Sequence, residues 1–276
     1  MPLALWPVAQ QTGQAQRKGR YLAASSAHPA KMLPELARRI VSEYSAEGGL
    51  VCDPMGGIGT TVLEAAALGR RAAGVELEGR WAALARANLD HALPDSARSL
   101  AEVLEGDARR LPQLLGDLSG QVDLVATSPP YGSDVGNLDR SNWGKGGRLC
   151  PTASRNYSAD HANLGHARGN AYRRAMAEVY AGCYSVLRPG GLMVVVTKNT
   201  RQMGGRDLAA VTVSLAEDTG FTYMGHVIAL LAAVRDGSLH PRPSFWQLVQ
   251  LRHAKASGAR RHVPAHEDVV VLRKLA

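Results

Sequence analysis

The sequence predicts an α/β domain: a mostly parallel, twisted sheet with helices on both faces and an antiparallel edge. Three observations carry this reading. From Pro29 onward, short apolar runs alternate with segments of helical periodicity. The runs are apolar on both faces, as strands covered by helices on each side must be. The last runs follow one another with no helix between them, which suits antiparallel pairing.

Taken in order, Met32, Leu33, Leu36, Ile40 and Tyr44 recur at helical spacing, so 30–46 reads as a helix with one apolar face. LVCDP (50–54) is a buried strand followed by a Gly-rich turn, MGGIG (55–59). TTVLEAAALG (60–69) is a helix that Gly69 is suited to cap. A strand at 71–77, a helix at 80–93 and strands at 100–107 and 121–130 come next. After a long irregular stretch, 172–187 reads as a helix and 191–199 as a strand, with LRPGG (187–191) as the turn between them. A helix near 206–219 and strands at 221–231, 245–252 and 268–273 complete the chain. Residues 1–27 show no sustained periodicity, and QQTGQAQRKGR reads as a loosely attached arm. The expected organisation is that arm and a single catalytic domain over 28–276, with an insertion at 133–171.

The 276 residues are 45% hydrophobic and 20% charged, the balance of a globular protein. No apolar run approaches the roughly 20 residues of a membrane helix. MPLALWPVA lacks the basic start of a signal peptide and Pro7 interrupts it, so a cytoplasmic location is expected. Three cysteines with no CxxC argue against a disulfide scaffold, and no cluster has metal-ligand spacing. A net charge of +8 favours a polyanionic partner.

Two short segments carry chemistry. DPMGGIGTT lies between a strand and a helix, where backbone N–H groups and the helix dipole favour an anionic ligand group. Glu76 ends the next strand, placed to accept hydrogen bonds from ribose hydroxyls. The pair suggests a nucleoside-containing cofactor, but the dinucleotide pattern GxGxxG fails because its third glycine would fall at Val62. A tight turn without a ligand is the alternative, and Asp53 and Glu76 count against it. TSPPYG (127–132) follows VDLVA, at the strand end where open α/β sheets bind ligands. Its prolines make a stiff turn with no backbone donors. Ser128 offers a hydroxyl, Pro129 a carbonyl and Tyr131 an aromatic face, a set suited to a planar ring that bears an amino group.

DPMGGIGTT, an acidic strand end and TSPPYG, in this order, resemble the S-adenosylmethionine-dependent amino-methyltransferases of DNA. In that family SPPY is typical of enzymes acting on cytosine N4, whereas adenine-N6 enzymes more often have Asp or Asn in place of Ser. The resemblance spans about residues 28–200 and implies the Rossmann-like fold of class I methyltransferases. It implies S-adenosylmethionine as cofactor, with Met55, Gly56, Gly57 and Gly59 letting it approach the backbone. Thr60 and Thr61 would meet its carboxylate, Asp53 its amino group, Glu76 its ribose, and Asp107 with Ala108 its adenine edge. HPAKMLPELARRIV (28–41) is similar to the segment that closes over the methionine end, with His28 through Lys31 as its start. Ser128, Pro129, Pro130 and Tyr131 are the implied catalytic residues, acting on a base flipped out of the duplex. The motif order departs from many SPPY enzymes, in which the tetrapeptide comes first. Carbon-5 methylation of cytosine would need a Pro-Cys dipeptide, and the chain has only Cys150-Pro151.

The insertion carries Arg140, Lys145, Arg148, Arg155 and Arg168, suited to phosphate contacts, with Trp143, Tyr157, His161 and His166 interleaved. A solvated lid is the equal alternative. The expected partner is double-stranded DNA; a cognate restriction endonuclease and a homodimer stay open. Adenine-N6 methylation of DNA and amino-methylation of RNA are the alternative activities.

Overall fold

The computed structural model describes residues 3–130, 160, 162–198, 207–242, 252, 255–256, 258 and 264–276. The chain forms β1 (Leu5–Trp6), α1 (Gly13–Arg17), α2 (Pro34–Tyr44), β2 (Leu50–Asp53), α3 (Thr60–Ala67), β3 (Arg71–Glu76) and α4 (Gly79–Ala92). It continues with α5 (Asp95–Arg98), β4 (Ala101–Glu105), α6 (Leu111–Leu115), β5 (Val122–Thr127), α7 (Gly169–Val186), β6 (Leu187–Thr197) and α8 (Leu208–Glu217). Strands β7 (Phe221–Leu230), β8 (Ala232–Arg235), β9 (Ser238–Pro241) and β10 (His266–Lys274) close it.

Eight strands pair in the order β1-β7-β10-β6-β5-β2-β3-β4. Strands β4, β3, β2, β5 and β6 run parallel to one another. The reversed strand is β10, inserted between β6 and β7 and antiparallel to both. This is the predicted sheet, with the antiparallel pairing at the predicted end.

Alternate residues of each strand feed two core layers. Val51, Leu124 and Val194 pack with Leu36, Ile40, Leu63 and Leu89 of α2, α3 and α4. Cys52, Val125 and Val195 pack with Leu111, Met176, Tyr180 and Leu215 of α6, α7 and α8. Each fully buried Leu or Ile contributes about 2 kcal/mol relative to exposure, and this double cover explains why the strands read as unbroken apolar runs. Among the described residues no helix is long and apolar enough to cross a membrane.

Four expectations need correction. The arm is not loosely attached: Trp6, Val8, Ala9 and Tyr21 are buried, and β1 pairs in parallel with β7. Three of its polar side chains are tied to the fold. Gln16 Nε2 donates to the Val8 carbonyl at 3.0 Å and Arg17 donates to that of Met32 at 2.5 Å. Arg20 reaches the fully buried Glu64 of α3 at 2.7 Å. Second, the stretch between the expected strands at 221–231 and 245–252 holds a hairpin. Asp236 and Gly237 both have positive φ, the turn that joins β8 to β9 with the right twist. Third, α7 starts at Gly169, inside the supposed insertion. Fourth, LRPGG belongs to β6 rather than preceding it, with a register shift against β5 opposite it. The expected strand at 245–252 falls, but for one residue, outside the described residues, as does most of the insertion.

Candidate active site

Strand β2 lies between β5 and β3, so the chain moves outward in opposite directions on either side of it. Such a switch point opens a crevice at the carboxyl ends of the strands. Both chemistry-bearing segments end there: Asp53 to Gly59 after β2, and Ser128 to Pro130 after β5.

Asp53 is 4% exposed and accepts the Met55 N–H at 3.1 Å. Burial pushes its carboxyl up, while the hydroxyls of Thr61 and Thr127 and the Met55 N–H oppose the rise. Asp53 ends β2 beside β5, whose last residue, Thr127, immediately precedes Ser128. The turn above it is fixed by backbone bonds, Gly56 N–H to the Val75 carbonyl at 2.8 Å and Gly59 N–H to that of Gly56 at 2.8 Å. Gly57 and Gly59 have φ of 55° and 83°, so the turn itself requires glycine there. A Cβ on Gly59 would also stand 3.1 Å from Ala85. Gly56 differs: its φ is ordinary, and a Cβ would meet nothing nearer than the Val75 carbonyl at 3.5 Å. Neither backbone nor packing calls for glycine at 56, which leaves close approach by a ligand as the physical reason for it.

Glu76 accepts the Gly57 N–H at 2.8 Å on one oxygen and the Glu78 N–H at 2.9 Å on the other. Burial raises its carboxyl and these two bonds oppose the rise. Each oxygen keeps a lone pair, so the group can still receive two hydroxyls. His28 is 4% exposed, its ring edge-on to Trp81 at 4.7 Å and beside Gly57. Burial, with Lys31 adding to it, lowers the imidazole to about 4, so it is neutral at physiological pH. Burial, together with Arg17, lowers the Lys31 ammonium to about 8; it donates to the His28 carbonyl. Thr60 and Thr61 are buried at the start of α3. Met55 is partly buried.

Asp107, at the end of β4, caps the turn that Ala108 begins, accepting the Arg109 N–H at 2.9 Å. Burial alone would raise its carboxyl, but the Arg109 guanidinium, 2.5 Å away, holds it below the usual carboxylate range. The structure therefore gathers Asp53, the glycine turn, Glu76 and His28 closely and sets Asp107 further along the same edge. Pro129 is buried, Ser128 and Pro130 partly so, and the Pro130 carbonyl accepts the Tyr172 hydroxyl at 2.7 Å. Tyr131, Arg140, Lys145, Arg148 and Arg155 lie outside the described residues; Arg168 is exposed beside the first turn of α7.

Sequence reasoning missed two residues here. Asn88, fully buried on α4, donates to the Ile58 carbonyl of the turn at 3.0 Å and accepts the Leu22 N–H of the arm at 3.0 Å. A polar residue on the apolar face marked by Trp81, Ala85 and Leu89 was its signal. Tyr172 has no comparable mark, because its partner is a distant backbone carbonyl.

Residues 2–86 match the family described as DNA methylase. That segment holds the arm, α2, the glycine turn and Glu76, and ends before Ser128. Over 108 residues the chain is 35% identical to the tRNA (guanine(10)-N2)-dimethyltransferase of Methanocaldococcus jannaschii, covering 38% of this chain and 30% of that protein. The enzyme of the same description from Methanothermobacter thermautotrophicus is 33% identical over 142 residues, 46% of this chain and 39% of that one. The chain thus spans well under half the length of these relatives. Among solved structures, precorrin-6y C5,15-methyltransferase from Geobacter metallireducens shares the fold with a TM-score of 0.51 at 13% identity, covering 96% of this chain and 98% of that one. The architecture is the Rossmann-like fold of class I S-adenosylmethionine-dependent methyltransferases, and fold and family segment together imply S-adenosylmethionine as cofactor. The open turn at Gly56 and the buried carboxyls of Asp53 and Glu76 fit it.

Proposed function

We propose that this protein methylates the exocyclic amino group of a nucleic-acid base, with cytosine N4 in double-stranded DNA as its substrate. One observation carries the reading: the Ser128-Pro129 segment and the cofactor-type turn follow adjacent parallel strands, β5 and β2, and so meet at one switch point. The matching DNA methylase segment supports it.

S-adenosylmethionine supplies an electrophilic methyl group when bound. On its side, Gly56 leaves the backbone open, Glu76 accepts the ribose hydroxyls, Asp53 faces the amino group, and Thr60 and Thr61 meet the carboxylate. His28 and Lys31 close the methionine end, and Asp107 with Ala108 borders the adenine.

The base amine is a poor nucleophile because its lone pair is delocalised into the ring. The Ser128 hydroxyl and the Pro129 carbonyl accept its two N–H bonds, which favours a pyramidal nitrogen with its lone pair directed at the methyl group. Removing one preorganised group of this kind costs about 2–4 kcal/mol of transition-state stabilisation. The base leaves its stack to reach the site, and Tyr131 stacks on it. Arg168 and the basic residues of the insertion hold the flanking phosphates.

A second reading, methylation of guanine N2 in tRNA, is favoured by the two curated relatives. Labelled S-adenosylmethionine supplied with unmethylated DNA or with tRNA, followed by nucleoside chromatography, separates the two. Label in N4-methyl-2′-deoxycytidine supports the first, and label in N2-methylguanosine replaces it with the second. Ser128→Ala should lower turnover about a hundredfold with cofactor affinity unchanged; turnover equal to wild type removes Ser128 from the chemistry.

A further inference from the structure

We infer that Tyr172 is a positioning residue for methyl transfer: its hydroxyl holds the Pro130 carbonyl and thereby fixes the turn that presents Ser128 and Pro129 to the amine. The inference rests on the function proposed above and names a residue that neither the tetrapeptide nor the cofactor turn contains.

The diproline segment cannot fasten itself. Two prolines supply no N–H donors, so whatever holds the segment must donate to its carbonyls. Tyr172 does so from the first turn of α7, with its hydroxyl 2.7 Å from the Pro130 oxygen. The two residues are 42 positions apart, so the bond ties the end of β5 to a separate layer of the fold. Tyr172 itself is seated against the core beneath α7, which gives the donor a fixed base.

The consequence for the site follows from proline geometry. With both proline φ angles locked near −65°, the remaining freedom of the segment lies mainly in its ψ angles. One hydrogen bond to the terminal carbonyl restricts that freedom. It also takes one of the two lone pairs of the Pro130 oxygen. Burial pushes the Tyr172 phenol up, so it keeps its proton and remains a donor at neutral pH.

Tyr172→Phe keeps the ring and its packing and deletes only the donor. The test measures single-turnover transfer on whichever nucleic acid the wild-type protein methylates, together with KM for that substrate, cofactor affinity and thermal unfolding. The expected result is a kcat lower by about tenfold, with KM, cofactor affinity and melting temperature close to wild type. A variant with wild-type kcat overturns the inference, as does one whose kcat falls only in proportion to lost folded protein. Wild-type protein that transfers no methyl to DNA or RNA overturns the proposed function, and this inference with it.

Discussion

Asn88 is the residue at which the fold's dependence on its arm can be measured. Its side chain is fully buried on α4 and joins three segments. Nδ2 donates to the Ile58 carbonyl in the glycine turn, Oδ1 accepts the Leu22 N–H, and both atoms lie within 3.1 Å of the Ser25 hydroxyl. Asn88→Ala strands two backbone groups, the Leu22 N–H and the Ile58 carbonyl, and an unsatisfied buried group costs about 1–3 kcal/mol. The loss should therefore total about 2–6 kcal/mol, a large fraction of the roughly 5–15 kcal/mol that holds a domain together. At about 2–4 °C per kcal/mol, the melting temperature should drop by about 4–24 °C.

Asn88→Asp makes the experiment specific. A carboxylate still accepts from Leu22 and Ser25 but sets an oxygen against the Ile58 carbonyl, so only the bond to the turn is lost and repulsion replaces it. Urea unfolding followed by the fluorescence of the buried Trp6 and Trp81 reads the change. Both variants should lower the midpoint at constant slope, and both should weaken cofactor binding because Ile58 lies within the turn. If Asn88→Asp unfolds at the wild-type urea concentration, the bond to Ile58 is not what holds the turn, and the argument fails.

The remaining predictions concern the cofactor side. Glu76→Gln keeps the shape but turns an amide N–H toward the Gly57 or Glu78 N–H, so S-adenosylmethionine affinity should fall about tenfold to a hundredfold in calorimetry while the fold survives. His28 binds its proton at about 6.5 in the unfolded chain and at about 4 in the fold. Between those values the unfolded state takes up the proton first, so the stability is complete above pH 6.5 and is lost as the pH falls toward 4. The gap is worth about 3 kcal/mol. His28→Asn should be free of this loss; wild-type and variant unfolding energies that stay parallel from pH 7 to 4 would contradict the burial assigned to His28.

What the sequence revealed and what it hid divide along one physical line. Period and punctuation were readable: Val51, Leu124 and Val194 stand in runs that only a doubly covered strand produces, and Gly69 stops α3 with φ of 76°. The glycine turn and Glu76 were readable because their residue types are rare in other settings. The arm was not readable. Gln16, Arg17 and Arg20 look solvated by composition, and their donors are directed at particular carbonyls and at Glu64 only once the fold brings those together. The β8–β9 hairpin carried a signal in Asp236-Gly237 that the polar neighbours obscured. Tyr172 was hidden for the same reason as Arg20, since neither partner lies near it in sequence.

The same division bears on base choice. Cytosine, adenine and guanine all carry an exocyclic amine, and an oxygen pair such as Ser128 Oγ and Pro129 O accepts N–H bonds from any of them. What distinguishes the bases is what flanks the amine: one ring-nitrogen acceptor in cytosine and adenine, and in guanine the N1–H donor on one side with the N3 acceptor on the other. A carboxylate that meets N1–H therefore favours guanine over the other two. The matched family segment ends at residue 86, ahead of Ser128, so it holds the turn and Glu76 but no part of the tetrapeptide. The Ser-Pro-Pro segment is thus chemically compatible with relatives described as acting on guanine N2, because its oxygens suit any such amine and the choice of ring belongs to residues beyond it.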